Sequence, residues 1–397
     1  MSEFDPSQFN PSRRQWLQAA GAIGSSLFLP GVQAIESTRA PDGRFILIFL
    51  RGGLDGLFAF APSADPLLAS LRPTLAREAL SHGIALGKTG FSAHPSCQIL
   101  AELFTSKELA FAPCAGTTDR SRSHFQAQDL FELGNGNSHG SNGLLARAAD
   151  ARRGESRVIS FTNNLPLILQ GASQTPEVAP LSGSGLKMRQ DRALDAIRAM
   201  HDKQASGAAI EQAINTQSDI ETAMGMDAKA GRGAAQINGF PKAAETMARM
   251  LRSNPKLGMA FIDMGNFDTH AGQESALSRS LPFLGQGLLA LRDGLGEGEW
   301  KRTQILVCTE FGRTARENGT QGTDHGHGSL ALLLGGAING GRQIGNFTGL
   351  SNSALNEGRD LPVSVDWRSL IGRSLRDTQG FDLATLEKIL PGLPRLN

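Results

Sequence analysis

Cysteine is scarce in this chain of 397 residues, and its three cysteines, Cys97, Cys114 and Cys308, show no C-x-x-C spacing. An odd number without that spacing argues against a disulfide framework and against a zinc-thiolate site. Cys308 lies inside the apolar run ILVC and is interpreted as a small core residue. Cys114 follows an apolar run, so it is interpreted either as a nucleophile or as part of a packed strand end.

Net charge is nearly absent as well, with 39 Lys and Arg residues against 38 Asp and Glu residues. The chain therefore has no global attraction for nucleic acid or anionic lipid. It also has no basic patch with interleaved aromatic residues, so no nucleic-acid partner is expected. Repeats, heptads and a Walker-type phosphate loop are missing too. The lack of a flavin fingerprint or haem motif places a redox function last among the functions considered.

The N-terminal region contains an export pattern. Ser12–Gln18 read SRRQWLQ, a twin-arginine pair that is followed by the apolar AAGAIGSSLFLPG and by a V-Q-A that suits cleavage after Ala34. The apolar stretch is too short and too rich in Gly and Ser for a stable membrane span. The alternative is a chance arginine pair before a buried helix. We expect residues 1–34 to be a signal peptide that the twin-arginine export machinery recognises, and the mature protein to be periplasmic or otherwise exported.

In the rest of the chain, apolar runs typical of buried strands alternate with amphipathic helical patterns. This alternation predicts an α/β fold in which a mainly parallel central sheet has helices on both faces. The length would allow two average domains, but we expect a single domain, residues 35–397, with a helical insertion at about residues 187–253. The insertion is interpreted as a cover packed on the sheet or as a lid.

Carboxylate and imidazole side chains follow several of the predicted strands. Ligands of open α/β sheets bind outside the carboxyl ends of the strands, where loops can direct side chains at one point. A mixed oxygen and imidazole set suits zinc, manganese or iron, and further carboxylates suit magnesium or calcium. We therefore expect a divalent metal centre of one or two ions (Zn, Mn, Mg or Ca). Its expected ligands are Asp55, Asp263, Asp268, His270, Glu310, Asp324, His325 and His327.

Some of these assignments have alternatives. Asp55 lies at the apex of a Gly-rich turn, where an aspartate commonly stabilises the turn itself. The GTDHGHG loop offers two histidines, and the choice between His325 and His327 stays open. His139, in the loop NGNSHGSN, is a weaker ligand candidate.

A hydroxyl-rich loop, AGTTDRSRSH, contains the candidate nucleophile. Ser123 is placed at the start of a helix, beside free backbone N–H groups and the positive end of the helix dipole. The same position is the preferred N-cap, which is the alternative role. Two ions about 3.5–4 Å apart would hold the attacking and leaving oxygens of a displacement at phosphorus or sulfur. Arg122 or Arg120 could bind the non-bridging oxygens.

Taken in order, these motifs resemble one bacterial family. The twin-arginine start, LIFLRGGLDGL, SRSHFQAQD, NFDTHAGQ, TEFGRT, GTDHGHG and the GG-x-x-x-GG-x-x-G ending look like the family named domain of unknown function 1501. The resemblance covers essentially the whole chain from about Arg44 onward. That family is grouped with the alkaline-phosphatase-like superfamily of phosphatases, sulfatases and phosphomutases. The resemblance implies a mainly parallel sheet with a two-metal site at its carboxyl edge.

The resemblance also implies roles for residues near the first two strands. Asp55 resembles the superfamily's first-strand metal aspartate. Ser123 resembles its nucleophile, with Ser121 and Thr118 as less favoured substitutes.

Further roles fall on the later motifs. Asp268 and His270 resemble the Asp and His of one metal position, and Asp263 resembles an acidic ligand just upstream. Either histidine of GTDHGHG resembles the final ligand. Where the superfamily has a later Asp-His pair, this chain has Glu310 and Phe311, so one metal position lacks a usual ligand.

The functional expectation is an exported metal-dependent hydrolase of a small anionic phosphate or sulfate ester, with a serine nucleophile. The C-x-P-S-R signature of formylglycine sulfatases is missing, so that sulfatase mechanism is not supported. The alternative is a non-catalytic exported protein that uses the same fold for binding or assembly, and Phe311 in the metal loop motivates it.

Overall fold

The computed structural model describes residues 43–117, 119–152, 156–162, 164–174, 176–179 and 237–394. The expected signal peptide, Thr118 and residues 187–236 of the expected insertion lie outside the described residues. Within the described ranges, no helix has the length and apolar character needed to cross a membrane.

The described strands form one sheet of eight strands and a small sheet of three. The large sheet has the order β11-β5-β10-β9-β1-β8-β6-β7, and the small one has the order β2-β4-β3. The strands are β1 Arg44–Leu50, β2 Phe60–Ala61, β3 Ile84–Ala85, β4 Ser92–Ala93, β5 Leu109–Gly116, β6 Arg157–Phe161, β7 Glu177–Ala179, β8 Leu257–Met264, β9 Thr303–Cys308, β10 Ser329–Leu334 and β11 Val365–Asp366.

The large sheet is mainly parallel. β1 pairs in parallel with β8 and β9, β6 pairs in parallel with β7 and β8, and β5 pairs in parallel with β11. β10 runs antiparallel to both of its neighbours, β5 and β9. The predicted α/β class with a mainly parallel central sheet is confirmed.

Helices cover both faces of the sheet. They are α1 Gly56–Ala59, α2 Leu68–Leu71, α3 Arg77–His82, α4 Gln98–Thr105, α5 His124–Leu133, α6 Leu144–Ala151, α7 Phe240–Ser253, α8 Gln273–Trp300, α9 Trp367–Gln379 and α10 Leu383–Ile389. Alternate residues of a strand point to opposite faces. In β1, Ile46 and Ile48 belong to the core formed with α4, α7 and α8, whereas Phe45 and Leu47 belong to the core formed with α5, α6, α9 and α10. β1 is therefore apolar throughout because it is buried on both sides.

Strand directions bring the chemically important loops to one edge. β5 and β9 are both antiparallel to β10, so β5, β9, β1 and β8 share one direction. The loops that follow these four strands therefore lie at the same edge of the sheet. Because β10 is reversed, the GTDHGHG loop that precedes it also lies there. This edge is where the sequence predicts a metal centre.

Candidate metal centre

Three imidazoles and one carboxylate converge at this edge. One ligand atom each of His124, Asp268 and His325 lie within 4.8 Å of one another. His270 joins them, with its Nε2 2.9 Å from Nε2 of His325 and 3.0 Å from Oδ1 of Asp268. Nε2 of His124 lies 3.1 Å from Nε2 of His325. We call these four residues the His-Asp cluster, and three of them, Asp268, His270 and His325, were predicted ligands.

A backbone contact fixes the ring of His325. Its Nδ1 donates to the carbonyl oxygen of Arg122 at 2.9 Å, so Nδ1 bears the proton when the ring is neutral. The Nε2 lone pair then faces the cluster. Burial lowers the pKa of His325, and the positive charges of Arg313 and His124 lower it further. Both effects favour the neutral ring that a metal ion requires.

His124 is held by a buried carboxylate. It is the first residue of α5, and its Nδ1 lies 2.7 Å from Oε1 of Glu310, whose side chain is fully buried. The hydrogen bond to Glu310 raises the pKa of His124 against the opposing effect of burial. With Nδ1 donating to Glu310, Nε2 is directed at Asp268, 3.4 Å from its Oδ2. A ligand histidine backed by a carboxylate is the usual arrangement at protein metal sites.

Glu310 was a predicted ligand, but its oxygens are engaged by other donors. Oε1 accepts from the backbone N–H of Gly52 at 2.9 Å, and Oε2 accepts from the N–H of Gly53 at 3.2 Å and the hydroxyl of Thr309 at 2.8 Å. Burial opposes ionisation, but hydrogen bonds from His124, Gln128 and the backbone outweigh it and lower the pKa of Glu310. The structure therefore places Glu310 behind His124 rather than among the converging atoms.

Arg313 keeps the cluster carboxylate ionised. The arginine is buried and donates from Nη2 to Oδ1 of Asp268 at 2.6 Å. It also bonds the carbonyl oxygens of Gly53, Thr323 and Phe267. Burial alone would raise the pKa of Asp268, but Arg313, with added charge from His124 and His270, lowers it to about 2.

Asp55 lies in a separate polar network. Its Oδ1 accepts from the N–H groups of Leu57 and Phe58, which makes it the N-cap of α1. Its Oδ2 accepts from Nη1 of Arg72 at 2.7 Å, and both of these side chains are only 1% exposed. Gln273 donates to the same oxygen. This is the structural alternative for Asp55, because protein donors engage both of its oxygens.

Asp263 also pairs with an arginine. The guanidinium of Arg51, the residue directly after β1, donates from Nε to Oδ2 of Asp263 at 2.5 Å. Asp263 lies within β8 rather than in the loop that follows it. Its carboxylate therefore faces a fixed positive charge and is not part of the His-Asp cluster.

The GTDHGHG loop separates its candidates. His325 belongs to the cluster, whereas His327 lies with its Nε2 2.5 Å from the carbonyl oxygen of Asp119 and its Nδ1 3.1 Å from Nδ2 of Asn356. Asp324 is more than half exposed, and its Oδ1 lies 3.5 Å from Nδ1 of His270, behind the ring. The structure thus brings His325 of this loop to the site, with Asp324 at its periphery.

The loop before α5 directs Ser123 and Arg122 differently. Ser123 has the extended backbone of an N-cap, but its side chain makes no capping hydrogen bond. The hydroxyl of Ser121, by contrast, donates to Asp119 at 2.7 Å. Arg122 has a positive φ of 54°, and its guanidinium pairs with Glu357 at 2.9 Å and Asp360 at 3.1 Å. Ser123 therefore lies next to His124 of the His-Asp cluster, whereas Arg122 is turned toward an acidic pair.

The remaining candidates lie elsewhere. Cys114 is a buried residue of β5, and burial raises the pKa of its thiol to about 12, so it is a packed strand residue and not a nucleophile. Cys308 is buried in β9, as predicted. His139 is exposed in the loop between α5 and α6.

Phe311 forms one wall of the cluster. Its buried ring lies 4.7 Å from the ring of His124 and 4.9 Å from that of His325, measured between centroids. Phe311 thus packs against two of the imidazoles. The packing restricts the orientations that both rings can take.

The donor set fits a divalent transition metal. Imidazole nitrogens suit zinc, and three histidines with one carboxylate match the ligand number and type of a tetrahedral site. Hydrogen bonds on Nδ1 of His124 and His325 leave both Nε2 atoms as acceptors facing the cluster. The carboxylate of Asp268 is ionised because its pKa is about 2. The residues present therefore fit a metal ion.

Sequence reasoning missed His124, Arg313 and Arg51. His124 begins a helix instead of following a strand, yet it is adjacent to the candidate nucleophile Ser123 in the hydroxyl-rich loop AGTTDRSRSH. The two arginines lie inside quoted motifs, TEFGRT and LRGG. Neither arginine is a sequence neighbour of the carboxylate that it pairs with, since Arg51 and Asp263 are 212 positions apart and Arg313 and Asp268 are 45 apart.

Comparison with known proteins gives a family and several similar folds. The model of the family described as "Protein of unknown function (DUF1501)" matches residues 111–385. Among curated proteins, none matches the chain. A solved structure from Vibrio parahaemolyticus, a protein in the alkaline phosphatase superfamily, is 10% identical with a TM-score of 0.40 and covers 76% of this chain. The present chain spans 62% of that protein.

Two further structures are similar. Alkaline phosphatase from the Antarctic bacterium TAB5 is 11% identical with a TM-score of 0.41, over 87% of this chain and 100% of that chain. Phosphonate monoester hydrolase of Agrobacterium radiobacter is 12% identical with a TM-score of 0.35, over 77% of this chain and 71% of that chain.

Proposed function

This chain belongs to the DUF1501 family, and we propose that it is an exported hydrolase of a phosphate or sulfate ester that depends on one divalent metal ion. The observation that carries the proposal is the convergence of three Nε2 atoms, from His124, His270 and His325, on the carboxylate of Asp268. The sequence motifs that resemble the alkaline-phosphatase-like superfamily supply the substrate class.

A single ion is proposed because the carboxylates available for a second one are neutralised by the protein. Asp55 is paired with Arg72, and Asp263 is paired with Arg51. Glu310 accepts from backbone N–H groups and from His124. A second cation would have to displace these donors.

In the proposed reaction each part of the site has a separate task. A bound ion would polarise the ester and stabilise its developing negative charge. The His-Asp cluster would hold that ion, and Arg313 keeps Asp268 in its ionised form. Ser123, whose hydroxyl is not used as a helix cap, would attack phosphorus or sulfur as the bond to the ester's alcohol breaks. The departing alcohol would take up a proton, and water would then release phosphate or sulfate from the serine. The backbone N–H groups at the start of α5, a helix of ten residues, would favour an anion beside Ser123.

Hydrolysis assays with phosphate monoesters, phosphate diesters and aryl sulfates as substrates test this proposed function. The purified protein, loaded with zinc or manganese, is expected to cleave at least one class. Ser123→Ala should abolish turnover and retain the metal, whereas Ser121→Ala, the matched control in the same loop, should retain turnover. Equal activity of wild type and Ser123→Ala would overturn the assignment of the nucleophile.

A non-catalytic binding protein is the second candidate. The observation that favours it is the pairing of Arg122 with Glu357 and Asp360, because that arginine is then not free to hold an ester's oxygens. This candidate predicts that the protein binds metal but hydrolyses none of the three ester classes.

Export by the twin-arginine route is part of the proposal and rests on the sequence SRRQWLQ alone. Replacing Arg13 and Arg14 by lysine should retain the protein in the cytoplasm of a bacterium that exports the wild type. Unchanged fractionation of the double variant would contradict this route.

A further inference from the structure

An unbroken chain of hydrogen bonds links Arg51 to the ligand His124. Nη1 of Arg51 donates to Oε1 of Gln128 at 2.7 Å. Nε2 of Gln128 donates to Oε1 of Glu310 at 2.9 Å. The same oxygen of Glu310 lies 2.7 Å from Nδ1 of His124. Gln128 lies one helical turn after His124 on α5, so both side chains reach Glu310 from one helix.

The order of donors in this chain has only one chemically consistent form. A guanidinium can donate but cannot accept, so Arg51 requires the amide oxygen of Gln128 to face it. The amide nitrogen must then face Glu310 and donate a hydrogen bond to it. The same carboxylate can accept a hydrogen bond from the Nδ1–H group of His124. Arg51 therefore sets the orientation of the Gln128 amide, and that amide adds a donor to a carboxylate that Gly52, Gly53 and Thr309 also hold.

Arg51 is well placed to act as the fixed end of the chain. Besides Gln128, it donates to Asp263 at 2.5 Å and to Glu132 at 2.7 Å. Its guanidinium carbon also lies 5.2 Å from the ring centroid of Phe49. Three hydrogen bonds and an aromatic surface hold the guanidinium in one position.

We propose that Arg51 and Gln128 are positioning residues that set the tautomer of His124 through Glu310, and so tune the metal affinity of the His-Asp cluster. This positioning role is indirect, because Arg51 bonds Gln128 and Gln128 bonds Glu310. It rests on the metal site of the proposed function, although the chain of hydrogen bonds exists without an ion.

Zinc affinity, measured by competition with a chelator, gives the first test. Gln128→Met removes both hydrogen bonds of the amide and keeps a side chain of similar length. We expect this variant to bind zinc about 3- to 10-fold more weakly. The effect should be smaller than the roughly 10–100-fold loss of affinity that follows when a residue in direct contact with a ligand is replaced. Arg51→Met should weaken binding in the same direction. The double variant should bind as Gln128→Met does, because Arg51 acts through Gln128. Effects that multiply would show that Arg51 acts by another route and would overturn the proposal.

A matched control separates this effect from general loss of stability. Arg44 begins the same strand, β1, at the opposite edge of the sheet and pairs with Glu299 at 2.7 Å. Arg44→Met should lower the melting temperature but leave zinc affinity unchanged. If it weakens zinc binding as much as Arg51→Met, the effect is structural loosening and the role of Arg51 is refuted.

Nitrogen NMR shifts of the His124 ring give a readout that needs no metal. In the metal-free wild type, at a pH where the ring is neutral, we expect the proton on Nδ1. Gln128→Met should increase the fraction with the proton on Nε2. Absence of zinc binding in the wild type would refute the proposed function, whereas an unchanged tautomer in Gln128→Met would refute the positioning role itself.

Discussion

Nδ1 of His124 lies 2.7 Å from Oε1 of Glu310, a carboxylate whose side chain is fully buried. The two residues are separated by 186 positions in the chain, and the sheet edge brings them together. Because Glu310 can only accept when it is ionised, it holds the imidazole proton on Nδ1 and leaves Nε2 free for a metal ion. The candidate metal centre is thus oriented by a residue behind it.

Replacing Glu310 by glutamine tests this relationship. The amide is nearly isosteric but can present its N–H to Nδ1, which would move the ring proton to Nε2. We expect Glu310→Gln to bind zinc about 10- to 100-fold more weakly while the fold is kept. Chelator competition measures the affinity and circular dichroism checks the fold. Wild-type affinity in this variant would mean that the carboxylate does not control the ring.

The fold could be predicted from the sequence to a large extent. Continuous apolar runs such as that of β1 predict strands buried on both faces, and their alternation with helices predicts the parallel sheet. β10 has an equally apolar sequence but runs in the opposite direction. Strand direction depends on how the intervening loop returns across the sheet, and composition does not encode that.

The site could be predicted only in part. The rule that ligands follow strands selected Asp268, His270 and His325, and these side chains do converge because the carboxyl ends meet at one edge. It also selected Asp55 and Asp263, whose carboxylates are paired with arginines. Asp268 is paired with Arg313 as well, but imidazoles also face its oxygens, and nothing in the sequence marks that difference. The pairing of Asp263 with Arg51 spans 212 positions, and only the fold reveals it.

Asp55 should contribute to stability and not to metal binding. Asp55→Ala removes the partner of the buried Arg72 and leaves its charge uncompensated. Breaking a buried pair in this way costs about 3–5 kcal/mol of the free energy of unfolding. Urea denaturation should show this loss, with zinc affinity of the folded variant unchanged. Loss of metal together with a small stability change would instead make Asp55 a ligand.

Zinc affinity should rise with pH because of His124. The hydrogen bond with Glu310 raises the pKa of His124 above its usual value of roughly 6.5, and a protonated ring cannot bind a metal. In the metal-free protein, the interaction of His124 with Glu310 stabilises the fold fully when the pH is below the usual pKa of histidine. This stabilisation is lost as the pH rises through the raised pKa of His124. Zinc must displace the proton over the same range. Asp268 does not contribute to the pH dependence of zinc affinity in this range, because its pKa is about 2.

Calorimetric titration with zinc in buffers of different ionisation enthalpy measures the proton release. We expect release near neutral pH that declines above the raised pKa of His124. Release that is absent near neutral pH would contradict the assignment of His124 as a ligand.

The metal content of the purified protein, determined by elemental mass spectrometry, shows whether the His-Asp cluster binds an ion. Wild type is compared with His325→Ala, and His327→Gln is the matched control from the same loop, because His327 lies outside the His-Asp cluster. We expect one equivalent of divalent metal in wild type and in His327→Gln, and its loss in His325→Ala. No metal in the wild type after reconstitution, or two equivalents that survive in His325→Ala, would contradict it.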